Sequence, residues 1–216
     1  NMVIGDISHK KVMNQIISDS DDRVDFILAS PPCQGMSMAG KNRNVETMAK
    51  DERNFLIYHV IRLINEKDPE FVFIENVPLL LKLHLPFKNR LVNIMDILNY
   101  WFADKYNIES DIIDAVNFDV PQYRKRAIIR LYRKGATWPI VEAGREKSVE
   151  SAISNLPSLE SEERSDIPWH FGRKHSPDHI EWMKHTPTGH SAFENEHHYP
   201  RKKDGSRVKG YDTTYR

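Results

Sequence analysis

A single cysteine, Cys33, stands in a chain of 216 residues, which excludes an internal disulfide and any zinc site built on several thiolates. No apolar run approaches the roughly 18 residues that a membrane span needs, and no signal peptide is expected. No membrane partner is therefore expected, and the cytoplasm is the expected compartment. Charge of neither sign prevails, because 31 basic and 31 acidic side chains cancel to a formal net charge of zero. The whole-chain electrostatics thus do not announce a nucleic acid. Local clusters such as Arg124-Lys125-Arg126 and Arg201-Lys202-Lys203 still carry charge enough to meet phosphates, although such clusters are more often only solvated. No Gly-x-Gly occurs and the chain opens on Asn1, so a segment upstream is expected to be missing.

What is present fits one α/β domain and the start of a second: 39% of residues are apolar and 29% charged, and the length suffices for a sizeable core. The chain is organised around Asp25-Phe26-Ile27-Leu28-Ala29-Ser30-Pro31-Pro32-Cys33-Gln34-Gly35. An apolar run of this length closed by two prolines reads as a central strand of a parallel sheet. In open α/β sheets ligands collect beyond the carboxyl ends of strands, so Cys33 is placed to face a site. The prolines fix φ and stiffen the support under the thiol. A lone cysteine is more often a small buried hydrophobe, and that reading stands beside the functional one.

Along the chain, Met2 to Ile7 reads as a short strand and residues 9 to 18 as a helix with Val12, Ile16 and Ile17 on one face. Asp6, at the end of that strand, is placed either to accept from an exocyclic amine or merely to cap the helix. Lys41 to Asp51 is polar and aperiodic, as in a mobile lid. Glu52 to Glu66 reads as an amphipathic helix, ended by Pro69. Glu70 to Val77 is the second central strand, in which Phe71-Val72-Phe73-Ile74 breaks into Glu75-Asn76. A carboxylate at the end of a buried strand is costly unless it has a task or a partner, and Arg124 and Arg126 are the candidate partners. The spacing predicts a long helix over residues 87–106, with Leu91, Ile94, Met95, Leu98, Trp101 and Phe102 on one face. Ile108 to Val116 and Ala127 to Tyr132 read as a hairpin-like strand pair. In the start of the latter strand Arg124 and Arg126 share a face, where two guanidiniums can pin a carbonyl and a carboxylate or phosphate. From Gly135 the character changes, a short helix is expected over 148–155, and seven of the ten histidines fall between His170 and His198. His175, His179 and His185 are conceivable zinc ligands, but no cysteine supports them and no metal is expected.

Three motifs in this order, Pro31-Pro32-Cys33-Gln34, Glu75-Asn76-Val77 and Gln122-Tyr123-Arg124-Lys125-Arg126, resemble those of the cytosine-5 DNA methyltransferases. The likeness is strong over residues 4–134 and looser beyond. It implies an incomplete Rossmann-like S-adenosylmethionine-dependent methyltransferase fold over residues 1–145, and the start of a smaller target-recognition domain over 146–216. It implies transfer of a methyl group from S-adenosylmethionine to C5 of a flipped cytosine in double-stranded DNA, as in a bacterial restriction-modification methylase. Cys33 would add to C6, Glu75 would hold the N3 and amino edge, Arg126 the O2 carbonyl, and Arg124 would brace the Cys33 loop or Glu75. Only about 3% of an ordinary thiol is ionised at neutral pH, so a nearby cation or a coupled proton transfer is required. The same resemblance assigns Asp6, Ile7, Pro32 and Leu56 to the cofactor, and Gln34, Ser37 and Gln122 to DNA.

The family's Phe-x-Gly-x-Gly loop, its acidic ribose-binding motif and its elements beyond the recognition region have no counterpart here. The chain therefore resembles a middle piece. Alone it is expected to bind S-adenosylmethionine poorly, to be inactive, and to self-associate or need a companion chain along an exposed sheet edge. The alternatives are a tRNA cytosine-5 methyltransferase, which shares the three motifs, a catalytically silent DNA-binding relative, and a thiol hydrolase, for which no histidine is suitably placed.

Overall fold

The computed structural model describes residues 2–32, 49–139 and 141–208, which form two compact units, Asn1–Val149 and Glu150–Arg216. In the first unit α1 (Lys10–Asp19) precedes β1 (Phe26–Ala29), and α2 (Leu56–Lys67) leads into β2 (Phe71–Asn76). A hairpin of β3 (His84–Phe87) and β4 (Arg90–Asn93) runs into α3 (Ile94–Phe102), followed by β5 (Tyr106–Asp114) and β6 (Lys125–Arg133). The second unit holds α4 (Val149–Ile153), which begins at the boundary, and α5 (Pro177–Lys184).

The main sheet has the order β1-β2-β6-β5, with β1 parallel to β2 and the other pairs antiparallel. It is an α/β fold in which α2 returns the chain between the two parallel strands. Alternation sends Val72 and Ile74 of β2, and Ala127, Ile129 and Leu131 of β6, to one face. There they meet Ile57, Val60, Ile61 and Ile64 of α2 and Ile94, Ile97, Leu98 and Phe102 of α3 in one buried cluster. The opposite face carries aromatic rings. Gly135 takes a left-handed φ of 94°, open to glycine without steric cost, and the chain turns so that Trp138 lies against Phe71 and Phe73 at ring separations of 5.5 and 6.1 Å.

Two expected elements are different. Residues 2–7 form no strand; Met2 and Ile4 are exposed, and among the described residues no ladder reaches them. The helix expected over 87–106 is a hairpin followed by a nine-residue helix. Lys88 and Asn89 both adopt positive φ, 48° and 63°, as a tight two-residue hairpin turn requires. Asn93 then caps α3, its side chain accepting from the Met95 N–H at 2.9 Å and donating to the Leu81 carbonyl at 3.0 Å. Leu91, counted as part of the helical face, consequently lies in β4 and is 45% exposed.

Candidate active site

Because β1 and β2 are parallel and β6 is antiparallel to β2, the carboxyl ends of the first two and the start of the third emerge on one side of the sheet. Glu75 is the fifth residue of β2 and points to the face away from the α2–α3 core. Arg126 shares that face, two places before Ile128, the residue directly across from Glu75. Arg126 Nε meets Glu75 Oε1 at 2.6 Å, with the side chains 22% and 33% exposed. Its Nη1 also donates to the Lys125 carbonyl at 2.8 Å. The partner sought for the strand-end carboxylate is thus Arg126, and the pair remains open enough for a ligand to engage.

Sequence reasoning passed over Asn76. It is 2% exposed. Its Nδ2 donates to the Pro31 carbonyl at 2.9 Å, and its Oδ1 accepts the Val77 N–H at 2.8 Å. The end of β2 therefore ties down the Pro31-Pro32 segment beside Glu75. The available signal was an amide directly after a strand-end carboxylate, where burial demands partners for both its atoms.

Cys33, Gln34 and Ser37 lie outside the described residues; Pro32 is the last described residue before them and is exposed. Arg124 is exposed, and its backbone is held at the β5–β6 junction by its N–H donating to Asp114 Oδ1 at 2.7 Å. The guanidinium that reaches Glu75 is that of Arg126, not of Arg124. Gln122, also exposed, donates its N–H to the Val120 carbonyl at 2.7 Å in the turn before β6.

Asp6 and Ile7 sit in the turn that starts α1. Asp6 Oδ1 accepts the Ser8 N–H at 2.9 Å, and its carbonyl accepts from His9 at 3.0 Å. The bonds from Ser8 hold the exposed carboxyl below its usual range, so it stands ready as an ionised acceptor. A Cβ at Gly5 would lie 2.7 Å from Val12 Cγ2, so a larger residue there would need the Val12 side chain to shift. Leu56, half-buried, opens α2, which is tied to α1 by Arg62 Nη2 donating to Asn14 at 3.2 Å.

The histidines group otherwise than expected. His175 and His179 lie with ring centroids 6.4 Å apart, whereas His185 is bonded to Glu181 at 3.0 Å and stacks on His198. A Glu and a His four residues apart on one helix face was the readable part of that group.

Among known proteins, the family model of the C-5 cytosine-specific DNA methylases matches residues 1–216. The chain is 53% identical over 216 residues to the type II methyltransferase M1.HgaI of Avibacterium volantium, all of this chain matching 60% of that protein. It is 30% identical over 192 residues to the type II methyltransferase M1.HphI of Haemophilus parahaemolyticus, 84% of this chain matching 50% of that one. The chain thus spans about half to three fifths of these relatives' length. Among solved structures, its fold is similar to that of a prophage-encoded E. coli protein to which DNA modification methyltransferase activity is ascribed. The TM-score is 0.53 at 21% identity, covering 82% of this chain and 50% of that one.

Proposed function

The chain belongs to the C-5 cytosine-specific DNA methylase family, and from that premise we propose that it carries the base-attacking machinery of a DNA (cytosine-5) methyltransferase of the bacterial restriction-modification type. The observation that carries the reading is the Glu75–Arg126 pair at the strand ends, 2.6 Å apart, beside a Pro31 carbonyl held by Asn76. One residue, Pro32, separates Pro31 from Cys33, a reach of at most about 7 Å.

Carbon 5 of cytosine is too weak a nucleophile to take a methyl group unaided. In this reading the Cys33 thiolate forms a bond to C6, and the electron pair displaced from the C5–C6 double bond makes C5 enamine-like. Glu75 supports that addition by holding the N3 and amino edge, and Arg126 by donating to the O2 carbonyl, where negative charge builds. The ion pair they form in the structure sets both groups in place before a base arrives. Arg124 acts from the neighbouring position on the same edge, on the loop that carries Cys33. After methyl transfer, loss of the C5 proton and of the thiolate restores the double bond. Inside a duplex C6 is out of reach, so the base is extruded at a cost of a few kcal/mol; Gln34, Ser37 and Gln122 are the residues assigned to the DNA around it.

The methyl group is supplied by S-adenosylmethionine. Asp6, an exposed and ionised acceptor, fits its exocyclic amine, and Ile7, Pro32 and half-buried Leu56 offer apolar surface to the adenine. Residues 146–216 are read as the start of the target-recognition region. A cytoplasmic location fits the same activity. Among the described residues the outer edge of β1 pairs with no strand and Leu28 is 67% exposed, which favours a second chain or segment at that edge.

The test is transfer of labelled methyl groups to duplex DNA and to tRNA by the chain extended to its relatives' length. Label in 5-methylcytosine of duplex DNA is expected. Label in tRNA alone, or in no nucleic acid, overturns the reading.

A further inference from the structure

We propose that Glu181, His185 and His198 form a binding site for one divalent cation of the zinc class, separate from the methyl-transfer machinery. The three offer one ligand atom each, and these atoms all lie within 4.8 Å of one another. Glu181 and His185 are four residues apart, the latter at the C-terminal cap of α5, so one helix face presents both. His185 Nε2 lies 3.0 Å from Glu181 Oε1, and His198 Nδ1 lies 3.9 Å from the same oxygen. Zinc takes imidazole nitrogen and carboxylate oxygen at about 2.0–2.2 Å. Separations of this size need only a small closing motion. The two imidazole rings lie stacked, with centroids 3.9 Å apart and planes 11° from parallel; they must tilt apart for both nitrogens to aim at one ion. All three side chains are between 44% and 47% exposed, which leaves room for that tilt and for water in the remaining position.

A second feature makes this more than a chance meeting of surface groups. The segment bearing His198 is fastened to the end of α5 by Asn195, which is 5% exposed. The two N–H groups of its Nδ2 are shared among three acceptors, the His198 carbonyl at 2.8 Å and the Trp182 carbonyl and Thr186 Oγ1 at 3.1 Å each. One buried amide thus sets the backbone of His198 against the turn of helix that carries Glu181 and His185. Arg207 Nη2 holds the same segment from outside, donating to the Phe193 and Asn195 carbonyls at 2.6 Å each. These bonds fix the backbone that carries His198, although not its ring, in reach of Glu181 and His185. A cavity of about 390 Å³ opens beside the group, lined by His185, His198 and Asn195 and also by His190 and His197. Two imidazoles and a carboxylate suit zinc and its neighbours in the first transition row and are a poor set for calcium or magnesium, which prefer oxygen alone.

The probe is zinc chloride alone, titrated into the chain extended to its relatives' length and followed by calorimetry and by the ring resonances of the histidines. One equivalent is expected to bind, shifting the His185 and His198 ring nitrogens and raising the melting temperature. His198→Ala and Glu181→Gln are expected to weaken binding tenfold or more, a loss of the order seen when metal ligation is disturbed. Glu181→Gln keeps the shape of the helix and so separates loss of a ligand from loss of fold. His84→Ala and Cys33→Ser are expected to leave zinc affinity unchanged. Absence of stoichiometric binding, binding abolished by Cys33→Ser, or affinity unaltered in both Glu181→Gln and His198→Ala overturns the proposal.

Discussion

The two units are held by different forces. From Ile57 to Leu131 the first unit keeps one continuous cluster of buried, mostly aliphatic side chains between a sheet and two helices. In the second, the buried residues among those described are Asn195, Pro200 and Val208. What stands in for a core there is a set of polar clamps. They include Asn195 across the end of α5, Ser165 Oγ against His170 Nδ1 at 2.7 Å, and Arg207 on two carbonyls while its guanidinium lies over Tyr199. Burial yields a unit that resists local change; clamps yield one whose order depends on single side chains.

The largest expected effect falls on the first unit. Ile129→Ala, in the centre of β6 and fully buried, is expected to cost about 2–5 kcal/mol of stability, read as a fall in the denaturation midpoint. A smaller loss would mean that the cluster is not the principal source of stability there. Next, Arg126→Ala removes the partner of Glu75 and the donor proposed for the O2 carbonyl. Methyl transfer by the chain at its relatives' length is expected to fall about 100–1000-fold, the range for removal of one charge-stabilising donor. Its stability should change far less, since both side chains are partly exposed. Asn195→Ala should lower stability by about 1–3 kcal/mol by leaving acceptors unpaired, with increased amide exchange confined to the second unit. Exchange spreading through β2 and β6 would erase the contrast.

The smallest effect is in pH. Arg133 holds the Asp68 carboxyl below its usual range through a hydrogen bond, and Lys105 adds to this. A lowered carboxylate contributes stability above its unfolded pKa of about 3.9 and loses it as pH falls. Asp68 is 44% exposed, so the loss on acidification should stay below about 1 kcal/mol and vanish in Asp68→Asn. At the alkaline end, burial pushes the Tyr106 hydroxyl up to about 12. Its contribution is intact below the unfolded value of about 10 and declines as pH rises through 12. Both slopes belong to the first unit, and neither should survive in amide-exchange profiles of residues 150–208.

The same contrast decides what could be read from sequence. β1, β2, β5 and β6 are legible because each is a run of apolar or alternating residues bounded by Pro, Gly or charge. The ion pair at Glu75 was legible with them, as a carboxylate ending one buried strand and a guanidinium starting another. The hairpin at Lys88-Asn89 was not, because Leu91, Ile94 and Leu98 mimic helical spacing across a turn. The stop signal was Asn93, a good cap that was counted as helix interior. Asn76 escaped because its partner, the Pro31 carbonyl, is a backbone atom with no mark in the sequence. In the second unit almost nothing was legible. His198 reaches Glu181 through a segment without periodicity, and only the tertiary clamp by Asn195 brings them together.

In the proposed mechanism Cys33 is the group that adds to cytosine beside Glu75 and Arg126. Duplex DNA with 5-fluorocytosine at the target position tests this directly, because fluorine cannot leave C5 as the proton does and the thiol adduct persists after methyl transfer. With S-adenosylmethionine and the chain extended to its relatives' length, a covalent protein–DNA complex is expected. Peptide mapping should place the link at Cys33, with none formed by Cys33→Ser and far less by Glu75→Gln. A link at another residue, or an undiminished complex with Cys33→Ser, would contradict it.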